Sequence, residues 1–65
     1  GNLTQYKTFN GKRYQLDFAY PQNQQNKAYY TAKARRADGW LARVVKGIHP
    51  RSKRTLYGVY IKRRK

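Results

Sequence analysis

From Gln5 to Tyr20 polar and apolar positions alternate on either side of Asn10-Gly11. In the second arm Tyr14, Leu16, Phe18 and Tyr20 point one way, and Arg13, Gln15, Asp17 and Ala19 the other. Period-two alternation is the mark of a half-buried strand. Asn-Gly between β-forming runs is a hairpin signal, because both residue types tolerate left-handed backbone. Two registers compete. A two-residue loop pairs Thr8 with Arg13 and Lys7 with Tyr14, and sends Lys7 and Gln5 to the aromatic face. A three-residue loop, Phe9-Asn10-Gly11 with Gly11 left-handed as a bulge, pairs Thr8 with Lys12 and Tyr6 with Tyr14. It collects Tyr6, Tyr14, Leu16 and Phe18 on one face. The bulged loop is the expectation, since a slip of one residue reverses every side chain.

Pro21 ends the hairpin, and Asn23 is the better cap for a helix beyond it. About Gln24 to Asp38 there are good helix formers and no internal Gly or Pro, so a helix is predicted, stopped by Gly39. Its amphipathicity is poor. Ala28, Thr31, Ala32 and Arg35 form one stripe, and Tyr30, Ala34 and Ala37 another. The pattern leaves either free to face a sheet; if the first does, the Arg35 stem must snorkel. Trp40 to Lys46, with β-branched Val44 and Val45, reads as a third strand, and Leu56 to Lys62 as a fourth. Gly47 to Arg54 is the loop between them, and Arg63-Arg64-Lys65 a frayed basic end.

The order hairpin, helix, hairpin closes most naturally as an α+β fold, a four-stranded antiparallel sheet with one helix on one face. The inner face would carry Tyr6, Tyr14, Leu16, Phe18, Trp40, Ala42, Val44, Tyr57, Val59 and Ile61. The other would carry Arg13, Gln15, Arg43, Tyr60 and Lys62. Each side of such a sheet ends in an edge strand, which leaves monomer and strand-paired dimer both open.

Charge changes the picture most. In 65 residues, 16 Lys and Arg face only Asp17 and Asp38, for a formal charge of +14. That exceeds what solubility needs and carries self-repulsion, which a polyanionic partner would relieve. Yet the chain is 38% hydrophobic, with seven Tyr, two Phe and one Trp, unlike a disordered charged tail. The length allows a single domain, residues 1–65. Without cysteine, disulfides and thiolate metal sites are excluded. No apolar run approaches the roughly 20 residues of a membrane span, no export segment is visible, and a cytoplasmic location is the default.

Catalytic constellations are nearly absent, and no enzyme, metal or cofactor is expected. Asp17 and Asp38 lie on different elements and read as partners of nearby cations. His49 stands alone in a Pro-containing loop. The basic–aromatic pattern remains. Cations recur at Lys12-Arg13, Arg35-Arg36, Arg51 to Arg54 and Lys62 to Lys65, and such recurrence in a short chain favours a polyanion surface. Candidate phosphate contacts are Lys12, Arg13, Arg35, Arg36, Arg43, Lys46, Arg51, Lys53, Arg54, Lys62, Arg63 and Arg64. Tyr60, bracketed by cations on its face, is the stacking candidate.

The segment Tyr6-Lys7-Thr8-Phe9-Asn10-Gly11-Lys12-Arg13-Tyr14, the Ala- and Arg-rich helix, Gly39-Trp40-Leu41-Ala42-Arg43-Val44-Val45 and Tyr57-Gly58-Val59-Tyr60 together resemble small basic proteins of archaea and their mobile elements, mostly uncharacterised. The outline covers nearly the whole chain; the Gln- and Asn-rich stretch departs from it. Residues 28–61 are also similar to SPOR domains, in a helix ending in Gly followed by an Ala-Arg-Val strand and a returning strand. That resemblance implies glycan binding, which the +14 charge opposes.

The expectation is therefore a non-enzymatic nucleic-acid-binding module acting mainly on the phosphate backbone, DNA slightly preferred over RNA. The alternative is a protein-interaction module or inhibitor docking on an acidic protein. A ribosome-associated role ranks third, and membrane lysis last, because no segment has a long apolar face.

Overall fold

The computed structural model describes residues 1–64; Lys65, the last of the expected frayed end, lies outside them. The order is β1 (Tyr6–Phe9), β2 (Lys12–Pro21), a 3-10 turn (Gln22–Gln24), α1 (Gln25–Ala37), β3 (Trp40–Ile48) and β4 (Thr55–Arg63). The four strands form one antiparallel sheet in the order β1-β2-β4-β3, with α1 across one face. The β-β-α-β-β architecture is the one the alternation and the helix signal predict.

Register departs from expectation at the first hairpin. Tyr6 pairs with Gln15, Lys7 with Tyr14, Thr8 with Arg13 and Phe9 with Lys12, which makes Asn10-Gly11 a two-residue loop. Both residues are left-handed, at φ 52° and 76°, the type I′ geometry whose twist matches the flanking strands. The bulge lies instead between Leu16 and Phe18 in β2. It changes the parity of the strand. Tyr14 and Leu16 turn to the face away from α1, with Tyr60, while Phe18 and Tyr20 stand on the helix side. Arg13 and Gln15, expected opposite the helix, share its side through the row Tyr6, Gln15, Ile61, Ala42.

The helix settles on the first small-residue stripe. Ala28 and Ala32 are fully buried against Ala42 and Val59, flanked by Tyr20, Val44, Tyr57 and Ile61. Methyl groups let the helix backbone approach an aromatic sheet closely, which is why weak amphipathicity suffices here. Thr31 anchors the same stripe through a 2.6 Å hydroxyl contact with Tyr20. Asn23 is not the cap. The chain enters a 3-10 turn directly after Pro21 and α1 begins at Gln25 with Gln24 as N-cap, since a 3-10 turn itself satisfies early amide groups. Gly39 does end the helix, at φ 94° with its N–H on the Arg36 carbonyl, as a left-handed C′ glycine should.

The sheet has a second core on its far face, which the alternation does not foretell. Residues 1–5 pair beside Ile48 on the β3 edge and cross toward β1: Leu3 N–H donates to Ile48 O and Ile48 N–H to Gly1 O. Leu3 lands over Gly47 and Gly58, where an added Cβ would meet Leu3 carbons at 2.5 and 3.4 Å respectively. With Leu3 are buried Tyr14 and Tyr60, and around them pack Phe9, Leu16, Leu41, Val45 and Leu56. The small chain thus builds two thin apolar layers, one under the helix and one under its own N-terminal strap.

Candidate nucleic-acid interface

The antiparallel connectivity gathers one end of the molecule from distant parts of the chain. The β1–β2 turn, the C-terminus of α1, the start of β3 and the end of β4 all meet there. They bring Lys12, Arg13, Arg36, Lys62, Arg63 and Arg64 to one pole. Arg63 is not frayed; it pairs with Trp40 in the ladder. Arg36 turns over the β3 edge and donates to Ala42 O at 2.8 Å, which covers an otherwise open edge carbonyl.

On the helix-side face of this pole the sheet runs on past α1, leaving a shallow hollow of about 440 Å³. Gln15 and Ile61 lie on its floor, and Tyr6, Arg13, Trp40 and Arg63 around it. Each arginine lies over a ring of the neighbouring outer strand. Arg13 Cζ sits 4.4 Å from the Tyr6 ring centroid, and Arg63 Cζ 5.4 Å from that of Trp40. Two forces agree on this. Like charges on adjacent strands β2 and β4 lean apart, and each guanidinium meets the negative face of a ring. A second hollow, of about 450 Å³, adjoins it around Asp38, Gly39, Trp40, Arg63 and Arg64.

The remaining candidates separate. Arg51, Lys53 and Arg54 are exposed at the opposite pole, in the β3–β4 loop. That loop is closed by its own histidine: His49 Nδ1 accepts the N–H groups of Arg51 and Ser52 at 3.1 and 3.2 Å. The strands between the poles span roughly 30 Å at the usual rise per residue, so the loop does not join the first cluster. Lys46 stands near the loop on the helix-side face, paired with Tyr57. Arg43 lies on the far face, its Cζ 4.9 Å from the Phe9 ring. Arg35 is committed elsewhere. Its Nε donates to Asp17 Oδ2 at 2.9 Å, the one salt bridge among the described residues. That hydrogen bond, with the charge behind it, raises the Arg35 pKa.

Tyr60 is not a stacking residue. Its ring is fully buried under the strap, and its hydroxyl donates to Thr4 O at 2.6 Å. Burial pushes its phenol pKa up. The rings available at the basic pole are Tyr6, 46% exposed, and half-buried Trp40. The alternation alone assigns both to the inner core. The two-residue reading of Asn10-Gly11 finds Tyr6, because it sets Thr8 opposite Arg13 and so places Arg13 beside Tyr6.

Among the described residues no group of His, Asp or Glu is arranged to hold a metal ion, and no helix is long and apolar enough to cross a membrane. Comparison with protein-family models, curated proteins and solved structures finds no match.

Proposed function

We propose that the chain is a non-enzymatic nucleic-acid-binding module whose main surface is the pole carrying Lys12, Arg13, Arg36, Lys62, Arg63 and Arg64. The observation that carries this reading is the convergence of cations from β2, α1 and the end of β4 around two accessible rings. The salt bridge lies elsewhere, on Arg35 and Asp17. Guanidinium and ammonium groups so placed meet phosphates, and the pairing of charge with rings distinguishes the pole from a merely solvated cluster. DNA is slightly preferred over RNA, and a cytoplasmic location accompanies the reading. The loop Arg51, Lys53 and Arg54 serves as a secondary backbone contact.

The test is equilibrium titration of labelled single-stranded DNA, duplex DNA and RNA at about 50–300 mM salt. Micromolar or tighter binding near physiological salt is expected, with log K falling linearly in log salt. If the six cations of the pole each meet a phosphate, the slope on a single strand is about −4. Replacing Arg13, Arg63 and Arg64 by alanine should weaken binding more than replacing Arg51, Lys53 and Arg54. Loss of binding to all polymers by about 150 mM salt would overturn the reading.

A second reading, docking on an acidic protein, draws on the other exposed rings. Phe18, Tyr29 and Tyr30 are 55%, 50% and 75% exposed and lie outside the hollow. Capture of one acidic protein, with indifference to random nucleic acid, would favour it.

A further inference from the structure

We propose that the hollow between the Tyr6–Arg13 and Trp40–Arg63 pairs is a binding site for unpaired nucleobases, which makes the preferred ligand single-stranded rather than duplex. The inference rests on the nucleic-acid reading above and adds to it the ligand's strandedness and the residues that sense it.

The geometry carries the argument. A guanidinium lying on an aromatic ring has one planar face occupied and the other free, and a base stacks on such a plane as it does on a ring. The hollow presents two guanidinium groups, on neighbouring strands, their Cζ atoms 4.4 and 5.4 Å from the ring centroids beneath them. Because each arginine is already ordered by its ring, less side-chain entropy is lost when a base arrives. The N–H edges of the same groups remain for phosphate oxygens on either side. Between them the floor is apolar at Ile61 and polar at Gln15, and an amide there can bond the edge of a splayed base.

Shape decides against a duplex. Double-stranded DNA hides its base faces and is read by elements that project into a groove. Here the rings line a recess on a sheet face. Only a strand whose bases are free to turn outward can place a π-face in it.

The chain has one tryptophan, so Trp40 emission reports the site directly. Wild-type protein is titrated with a twelve-residue thymidine strand, the matching uridine strand, a duplex of equal length, and a twelve-residue abasic strand with the same phosphates and no bases. The expected result is quenching of Trp40 by both base-bearing strands, with affinity about 10-fold or more above the abasic strand and the duplex. Arg13→Lys and Arg63→Lys keep the charge and remove the plane. Each should lower the preference for bases over the abasic strand while leaving the salt slope unchanged, with folding checked by circular dichroism. Equal affinity for abasic and base-bearing strands, or tighter binding of the duplex, would overturn the base site and leave the nucleic-acid reading standing. Absence of binding to every strand would overturn both.

Discussion

Tyr60 does most at the residue scale, and it does so by being buried. Its ring fills the space between the sheet and the strap, its edge meets Phe9 at a centroid distance of 6.1 Å, and its hydroxyl holds Thr4 O. Tyr60→Phe removes that hydrogen bond and should cost about 0.5–1.5 kcal/mol at neutral pH. The raised phenol pKa gives a second signature. In the unfolded chain the phenol ionises at about pH 10, whereas the folded protein keeps its proton to higher pH. Between those values the native state binds more protons than the unfolded one, so stability falls as pH rises through the window. The Tyr60→Phe variant lacks this contribution. Its stability deficit relative to wild type should therefore shrink above about pH 10, measured by urea unfolding from pH 8 to 11. A deficit that stayed constant would mean that the hydroxyl is not withheld from solvent. Leu3, 7% exposed, tests the same layer from above: Leu3→Ala should cost about 2–3 kcal/mol.

At the scale of elements the decisive fact is that α1 packs through alanines. Ala28 and Ala32 have no exposed surface, while Ala34 is exposed. Ala32→Leu should therefore destabilise by about 1–3 kcal/mol through overpacking against Ala42 and Val59. Ala34→Leu should change stability by less than about 0.5 kcal/mol, both read from denaturant midpoints. The same comparison separates what is legible in the chain from what is not. The existence and order of the strands and the helix follow from period-two runs, from Pro21 and from Gly39, all local signals; β3 runs to Ile48 instead of stopping at Lys46, because Gly47 and Ile48 pair with Leu56 and Thr55. Choosing between the two helix stripes needs the sheet, because alanine patterns carry almost no amphipathic contrast. The bulge at Asp17 leaves no local mark. Without it Arg13, Gln15, Tyr14 and Leu16 are assigned to the wrong faces, and the basic hollow stays hidden even though the charge pattern singles out its arginines. The strap is hidden for another reason: Leu3 is a lone apolar residue among polar ones, and its binding place exists only because Gly47 and Gly58 share one face of the folded sheet.

For the whole molecule, positive charge is densest at two poles of a body of 34 × 24 × 14 Å. At low ionic strength, where the Debye length is about 30 Å at 0.01 M salt, the cations gathered at one pole repel one another. The cation–ring pairs direct this repulsion without cancelling it, and only a bound polyanion would neutralise it. Stability and binding should therefore respond in opposite directions to the loss of a charge at this pole. Lys12 and Arg64 are exposed and neither is in a salt bridge among the described residues. Lys12→Gln together with Arg64→Gln should raise the melting temperature at about 10 mM salt by a few degrees, the shift expected in a domain this small for about 0.5–1 kcal/mol. The gain should fade by about 300 mM salt as screening removes the repulsion in wild type as well. The same variant should bind single-stranded nucleic acid more weakly, with a salt slope shallower by about 1.4 on the single-strand scale. A melting temperature that fell, or a gain that persisted in high salt, would mean that these side chains stabilise the fold by packing. Their charge would then be incidental to the pole. The opposite signs predicted for folding and binding are what a surface kept for a polyanion requires, because a cation retained only for the fold would not cost it stability.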